Sequence, residues 1–93
     1  MDINYELYKV FYYVASTLSF SEASKQLFIS QSAVSQSIKA LEKKLDQTLF
    51  IRSTKKVRLT TEGEILLRHI EPAISLIKRG ESQLLDVGAR GGQ

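Results

Sequence analysis

Two closely spaced helix starts in the middle of the sequence constrain its fold more than any other feature. Ser19 and Glu22 have the spacing of a capping box, so a helix should begin near Ser21. It is short, because its pattern ends around Phe28. Ser30 is the next potential N-cap, and the apolar residues that follow it recur at intervals of four, three and four: Val34, Ile38, Leu41 and Leu45. A short helix, a tight connection and a longer helix form the outline of a helix-turn-helix.

Helical patterns also occupy the two ends of the chain. Asn4 is a potential N-cap for a first helix, and the core-facing residues of that helix would be Leu7, Phe11, Val14, Ala15 and Leu18. Thr61 and Glu64 form another capping-box pair, which predicts the start of a long last helix. Pro72 lies inside that helix, so we expect a kink near residues 68–71.

Residues 49–59 change from a helical to an alternating pattern. Val57 and Leu59 alternate with polar neighbours, which predicts a two-stranded hairpin with residues 53–55 at its tip. The sequence therefore predicts a mainly α fold, a winged helix-turn-helix with a three-helix core and a short two-stranded wing, followed by a long linker and dimerisation helix. The expected boundaries are 1–60 for the winged helix-turn-helix, 61–87 for the long helix and 88–93 for a flexible, hinge-like tail.

Length and composition exclude several classes of protein. A chain of 93 residues forms one small domain, and 43% hydrophobic residues argue against general disorder. There is no cysteine, no signal-peptide pattern and no apolar run of membrane-spanning length, so we expect a cytoplasmic protein that does not associate with a membrane. His69 is the only histidine and no catalytic motif occurs. We therefore expect neither an enzyme nor a cofactor or metal site.

The outward face of the third helix is polar and carries no carboxylate. On a helical wheel it lies about 140–200° from Val34. Its residues are Ser32, Gln36, Lys39 and Lys43, with Ser35 at its edge and Gln31 at the helix start. Glutamine can pair with adenine through two hydrogen bonds, and serine and lysine can contact base edges or phosphates. Because any surface helix is polar outside, this face by itself is weak support for DNA binding.

The predicted wing strengthens that interpretation. Residues 52–58 contain four basic and no acidic residues, and they account for half of the basic residues in 51–93, where the net charge of +3 arises. A basic hairpin directly after a helix-turn-helix can contact phosphates or a minor groove. The residues expected to do so are Arg52, Ser53, Thr54, Lys55, Lys56 and Arg58.

The motifs together closely resemble the N-terminal domain of LysR-type transcriptional regulators of bacteria. They are Leu7-x-x-x-Phe11-x-x-Val14-Ala15, Ser19-Phe20-Ser21-x-Ala23, the run from Leu27 to Glu42, Leu49-Phe50-x-Arg52 and Leu59-Thr60-x-x-Gly63. The resemblance implies a third helix in the major groove and a wing on the adjacent minor groove. The contacts that it implies are Gln31, Ser32, Ala33, Ser35, Gln36 and Arg52, and Lys39, Lys55 and Lys56 are added from their charge and position. Ser21, at a helix N-terminus, would bind a phosphate together with the backbone N–H groups there.

The sequence departs from the family pattern at four positions. Ser32 stands where proline is frequent, Gln36 where arginine is frequent, Ser24 where alanine is common, and Asp46 where glycine usually ends the helix. Because glutamine and not arginine stands at position 36, we expect a preference for adenine over guanine, in keeping with an AT-rich site. Asp46 tolerates a left-handed backbone less well than glycine, at a cost of about 1 kcal/mol.

The last helix carries a seven-residue repeat that one small domain cannot cover. Its positions are Leu66, Ile70, Ala73, Ile77, Gly80, Leu84 and Val87. We expect a homodimer through this stripe, and the resemblance implies an antiparallel pair of helices on a two-fold related DNA site. The alternative is a helical module that binds another protein through the apolar stripe of residues 66–87. In the family a small-molecule-sensing domain follows the helix, and full-length members can form tetramers. We therefore expect this chain to be a fragment that meets an effector only through that missing C-terminal domain.

Overall fold

A computed structural model describes residues 4–89 of the chain. The elements are α1 (Tyr5–Thr17), α2 (Phe20–Leu27), α3 (Gln31–Leu45), β1 (Phe50–Arg52), β2 (Val57–Leu59) and α4 (Thr61–Ala89). The prediction of a mainly α winged helix-turn-helix followed by a long helix is confirmed. Within these residues, no helix combines the length and the apolar character needed to cross a bilayer.

The starts of the first three helices are capped by the expected side chains. Asn4 Oδ1 accepts a hydrogen bond from the Leu7 amide at 3.3 Å. The Ser19 and Ser30 hydroxyls each accept one at 3.0 Å, from the amides three residues later. Helix α2 begins at Phe20, one residue before the expected start near Ser21.

The predicted cap of the last helix is wrong by one residue. Thr60, and not Thr61, accepts the hydrogen bond of the Gly63 amide, at 2.9 Å. The Thr60 hydroxyl also donates to the Thr48 carbonyl at 2.6 Å, and its amide donates to the Leu49 carbonyl at 3.0 Å. The cap therefore lies on the residue that is already held by the loop before the wing.

Three helices end on a non-glycine residue with a left-handed backbone. Leu18, Phe28 and Asp46 have φ angles of 52°, 57° and 54°. A left-handed backbone was considered for Asp46, which stands where the family pattern has glycine. Leu18, in contrast, was predicted to face the core, and it is 45% exposed. It terminates α1 instead, with its amide bonded back to the Val14 carbonyl at 2.7 Å. These tight ends make the short connections between α1, α2 and α3.

The core is formed where α1 and α3 meet the base of the wing. Phe11, Val14, Val34, Leu41 and Leu49 are fully buried. Phe50 joins this core through its ring, whose centroid is 5.4 Å from that of Phe11 and 6.0 Å from that of Phe20. The apolar stripe predicted for the third helix is confirmed, since its first three members are buried and Leu45 is half-buried against them.

The wing is an antiparallel pair of three-residue strands. Phe50 pairs with Leu59, Ile51 with Arg58, and Arg52 with Val57. The turn needs no glycine because none of its residues has a positive φ angle. It is closed by the Ser53 amide, which donates to the Lys56 carbonyl at 2.8 Å, and by the Ser53 hydroxyl, which accepts from the Lys56 amide at 3.1 Å. The tip thus extends one residue beyond the predicted range of 53–55.

Helix α4 packs on the domain with its first half only. Leu66, Leu67 and Ile70 are half-buried against the core, and Ile74 is buried. The helix is continuous through Pro72. The kink near residues 68–71 and the domain boundaries stay predictions. Helix α4 includes Gly88 and Ala89, the first two residues of the predicted tail, and the remainder of that tail lies outside the described residues.

Candidate nucleic-acid interface

The polar face of α3 lines a shallow concavity of about 450 Å³. Its lining residues are Gln31, Ser32, Ser35, Gln36 and Lys39. All are exposed except Ser35, which is half-buried. Ala33 is also half-buried and does not line this concavity, its backbone amide donates to the Ser30 hydroxyl, and its methyl side chain has no polar group. The structure thus brings together five of the six residues predicted to contact bases.

A second concavity of about 370 Å³ lies where the starts of α2 and α3 face the wing. Ser21 and Gln31 line it on the helical side, and Arg52 and Lys56 line it on the wing side, together with the intervening Ser53, Thr54 and Lys55. Because Gln31 lines both concavities, the α3 face and the wing form one continuous surface. Among the described residues, no acidic side chain lines either concavity.

Two predicted contacts line neither of these concavities. Lys43 lines a separate depression with two acidic residues, Glu42 and Asp46. Arg58 lines a depression on the other face of the wing with Ile51, its partner across the strands, and this depression meets the second concavity at Ser53 and Lys56. Strand residues alternate between faces, so Arg58 points away from the face that carries Arg52. The basic cluster of the wing is therefore split between two sides.

Arg52 is held by contacts with both helices of the motif. Its guanidinium carbon lies 3.8 Å from the centroid of the Phe20 ring in α2. Its Nη1 donates to the Ser35 hydroxyl in α3 at 3.4 Å. Arg52 and Ser35 were predicted as site residues and Phe20 was not, because an aromatic residue at a helix start gives no sequence signal for the cation that it contacts.

Glu42 is a second residue that sequence reasoning missed. Its Oε2 accepts hydrogen bonds from the amides of Leu49 at 2.7 Å and Phe50 at 3.4 Å. The carboxylate thereby ties the end of α3 to the first residue of the wing. A half-buried glutamate on a helix gives no sequence signal for a partner seven residues away.

The stripe predicted as a dimer interface is divided by the fold. Its first two members, Leu66 and Ile70, pack partly against the core of their own domain. The other members are exposed: Ala73, Ile77, Gly80, Leu84 and Val87. Leu76 and Leu85 add to the exposed apolar surface of the same half of α4.

The fold defines a winged helix-turn-helix protein. It has a three-helix core with α2 and α3 paired, a two-stranded wing, and a surface without lining carboxylates between α3 and the wing. Residues 5–64 match the family described as bacterial regulatory helix-turn-helix proteins of the lysR family. The chain therefore belongs to the LysR family, and the resemblance inferred from the sequence motifs is confirmed. This is a family of transcription regulators, so the expectation that the chain is not an enzyme is also confirmed.

Relatives and solved structures agree with this assignment. The chain is 42% identical over 74 residues to the HTH-type transcriptional regulator PerR of Escherichia coli, covering 80% of this chain and 25% of PerR. It resembles the BenM DNA-binding domain bound to catB site 1 DNA, with a TM-score of 0.84 at 24% identity over 98% of this chain and 99% of the other, which shows the fold. For the CbnR DNA-binding domain bound to DNA the TM-score is 0.77 at 26% identity, over 92% and 99% of the two chains. The chain spans about a quarter of the length of the curated relatives that it matches.

Proposed function

We propose that the chain binds double-stranded DNA sequence-specifically as the DNA-contacting part of a transcription regulator in the cytoplasm. The observation that carries this proposal is the continuous surface of α3 and the wing, which holds amides, hydroxyls and cations and no lining carboxylate. DNA presents base-edge donors and acceptors flanked by phosphates, and this surface matches both. Membership in the LysR family supports DNA binding over the alternative of a protein-interaction module.

In the proposed complex the start of α3 lies in the major groove. Gln31, Ser32, Ser35 and Gln36 are close enough to one another to contact neighbouring base pairs, since together they line a single concavity. Lys39 follows on the same face, and the wing residues Arg52–Lys56 reach the phosphates or the minor groove beside it. Lys43 and Arg58 contribute long-range attraction and not direct contacts, because they lie outside this surface.

Selection from a random duplex library tests this function. The chain should enrich a defined sequence with a short, AT-rich half-site, because glutamine at position 36 favours adenine. Binding to that sequence should be much tighter than to a scrambled duplex at the same salt concentration. If the two duplexes bind equally weakly, the proposed sequence-specific function is wrong.

We further propose that two copies pair through the second half of α4 on a two-fold related site. In one copy Leu84, Leu85 and Val87 are 74%, 73% and 69% exposed, which leaves apolar area that a second helix would bury. Gly80 has open space around it, so another helix can approach closely there. These exposed positions continue the seven-residue repeat, which favours a paired helix over isolated surface residues.

Sedimentation velocity on paired variants tests the dimer. Leu84→Asp should shift the chain from dimer to monomer, because it places a charge in the proposed apolar contact. Ser75→Asp is the matched control, since it adds the same charge to the opposite face of α4. Loss of the dimer in both variants, or in neither, would contradict the proposed interface.

A further inference from the structure

Phe20 presents the face of its ring to a cation of the proposed DNA-binding surface. The ring is 4% exposed, and its partner is the guanidinium of Arg52, 3.8 Å from the ring centroid. An arginine above an aromatic face is attracted by the negative potential of the ring, and its planar group also stacks on it. Phe20 itself is too deeply buried to contact a bound DNA molecule.

The core of the domain fixes the position of that ring. Phe20 packs edge-on against Phe50, with centroids 6.0 Å apart and planes at 69°, and Phe50 packs in turn on Phe11. Phe50 and Arg52 are two residues apart on β1, so they point to the same face of the strand. The three rings thus connect the centre of the core to the guanidinium of Arg52.

The same guanidinium group also contacts the third helix. Nη1 donates to the Ser35 hydroxyl at 3.4 Å, and Ser35 lines the concavity that α3 presents. A free arginine side chain samples many rotamers and must lose that freedom when it contacts a phosphate or a base. Held between Phe20 and Ser35, the guanidinium of Arg52 is restricted before DNA arrives, and its remaining N–H groups stay available.

We propose that Phe20 is a positioning residue for DNA binding. It acts through Arg52, by holding the guanidinium at the junction of the wing and α3, so that the two elements bind DNA as one unit. This inference rests on the proposed function, and it adds a residue that touches no DNA to the residues that determine affinity. If Phe20 only stabilised the fold, its replacement would change the affinity for DNA equally whether position 52 is arginine or alanine.

A double-mutant cycle separates these two roles. The DNA is the duplex that the unchanged chain selects, and the variants are Phe20→Leu, Arg52→Ala and their combination. Phe20→Leu should weaken binding about two- to fivefold, as expected for the loss of one exposed cation–π contact. In the Arg52→Ala background the same change should have no further effect. Equal losses in the two backgrounds would overturn the proposal.

Val14→Ala is the matched control for the cycle. It truncates a fully buried core side chain of α1 that lies outside the series of ring contacts leading from Phe11 to Arg52. Any effect of Val14→Ala on DNA binding should be the same with Arg52 or Ala at position 52. Thermal unfolding of each variant checks that the domain is folded at the temperature of the titration.

NMR of the unchanged chain tests the contact if Phe20→Leu does not fold. Side-chain protons of Arg52 should be shifted upfield by the ring current of Phe20, whereas those of Arg58, on the other face of the wing, should not. The absence of that shift would overturn the proposal. Failure of the unchanged chain to select any duplex would instead refute the proposed function, and the inference with it.

Discussion

At the scale of single residues, two of the four substitutions that distinguish this chain from the family pattern, Ser32 and Gln36, lie on the proposed DNA surface. Ser24 is accommodated because its hydroxyl donates to the Ser21 carbonyl at 2.7 Å. Asp46 adopts the left-handed conformation that favours glycine, and its amide still bonds back to the end of α3. Gln36 is exposed on α3, so its effect should be on base preference and not on folding.

The first prediction concerns Gln36. Gln36→Arg should move the preference at one position of the selected site from adenine toward guanine, because arginine pairs with the two guanine acceptors. Selection with the variant and the unchanged chain, followed by titration of both preferred duplexes, measures the change. Ser37→Ala is a control on the same helix away from the lining residues. An unchanged base preference would contradict the proposed contact.

The second prediction concerns two glycines of α4 in opposite surroundings. A Cβ at Gly63 would overlap the Leu49 carbonyl oxygen and the Leu59 side chain, whereas a Cβ at Gly80 meets nothing within 4 Å. Gly63→Ala should therefore lower the free energy of unfolding by about 1–3 kcal/mol. Gly80→Ala should raise it by up to about 1 kcal/mol when it is measured in the Leu84→Asp background, where the proposed pairing of α4 is absent, since alanine favours a helix. Urea unfolding of the two variants at one protein concentration measures both changes. Equal changes in the free energy of unfolding would contradict the close packing around Gly63.

At the scale of elements, the wing is placed by a few contacts at its base. Glu42 binds the amides that begin β1, and Thr60 and Gly63 hold the start of α4 against the same loop. The wing carries cations and α3 carries amides and hydroxyls, so DNA binding as proposed needs their relative position to be fixed. This position depends on these helix-to-loop contacts together with the packing of Phe50 and Arg52 against the helices.

The third prediction tests the contact of Glu42. Glu42→Ala should reduce the free energy of unfolding by about 1–3 kcal/mol, because it leaves two partly buried amides without their acceptor. Glu71→Ala removes the same charge from an exposed position of α4 and should change stability by less than about 0.5 kcal/mol. Hydrogen exchange of the Leu49 and Phe50 amides reports the site directly. Protection that is unchanged in Glu42→Ala would show that the carboxylate is not their partner.

At the scale of the whole molecule, charge and apolar surface are segregated. The acid-free surface lies at α3 and the wing, and the exposed apolar half of α4 extends from the domain in a molecule 54 Å long. Two copies joined through α4 would carry two such DNA surfaces. The net charge of +3 understates the attraction for DNA because three of the four cations of the wing, Arg52, Lys55 and Lys56, lie on that surface.

The fourth prediction concerns this concentration of charge. Lys55→Ala with Lys56→Ala should weaken binding to selected and scrambled duplexes alike and reduce the salt dependence by about 0.9 per lost phosphate contact. Arg68→Ala with Arg79→Ala removes two charges from the outer face of α4 and should leave the salt dependence nearly unchanged. Fluorescence titrations at several salt concentrations measure both. A loss confined to the selected duplex would mean that the lysines contact bases.

The sequence by itself determined the helices, their caps and the polar face of α3. These features arise from contacts within about four residues, so serine caps and apolar spacing predict them directly. Even there the cap of the last helix is Thr60 and not Thr61. The carbonyls of Thr48 and Leu49 accept hydrogen bonds from the Thr60 hydroxyl and amide and so hold Thr60 at the start of the helix.

Only the tertiary structure decided which cations share a surface. Arg52 and Arg58 look equivalent in the basic run, but strand alternation and the Phe20 ring turn one toward α3 and leave the other outside. In the same way, packing of α4 divided its uniform repeat into a half that covers the core and a half that stays exposed. Contacts between residues distant in the chain depend on how the elements pack, and local patterns do not encode that packing.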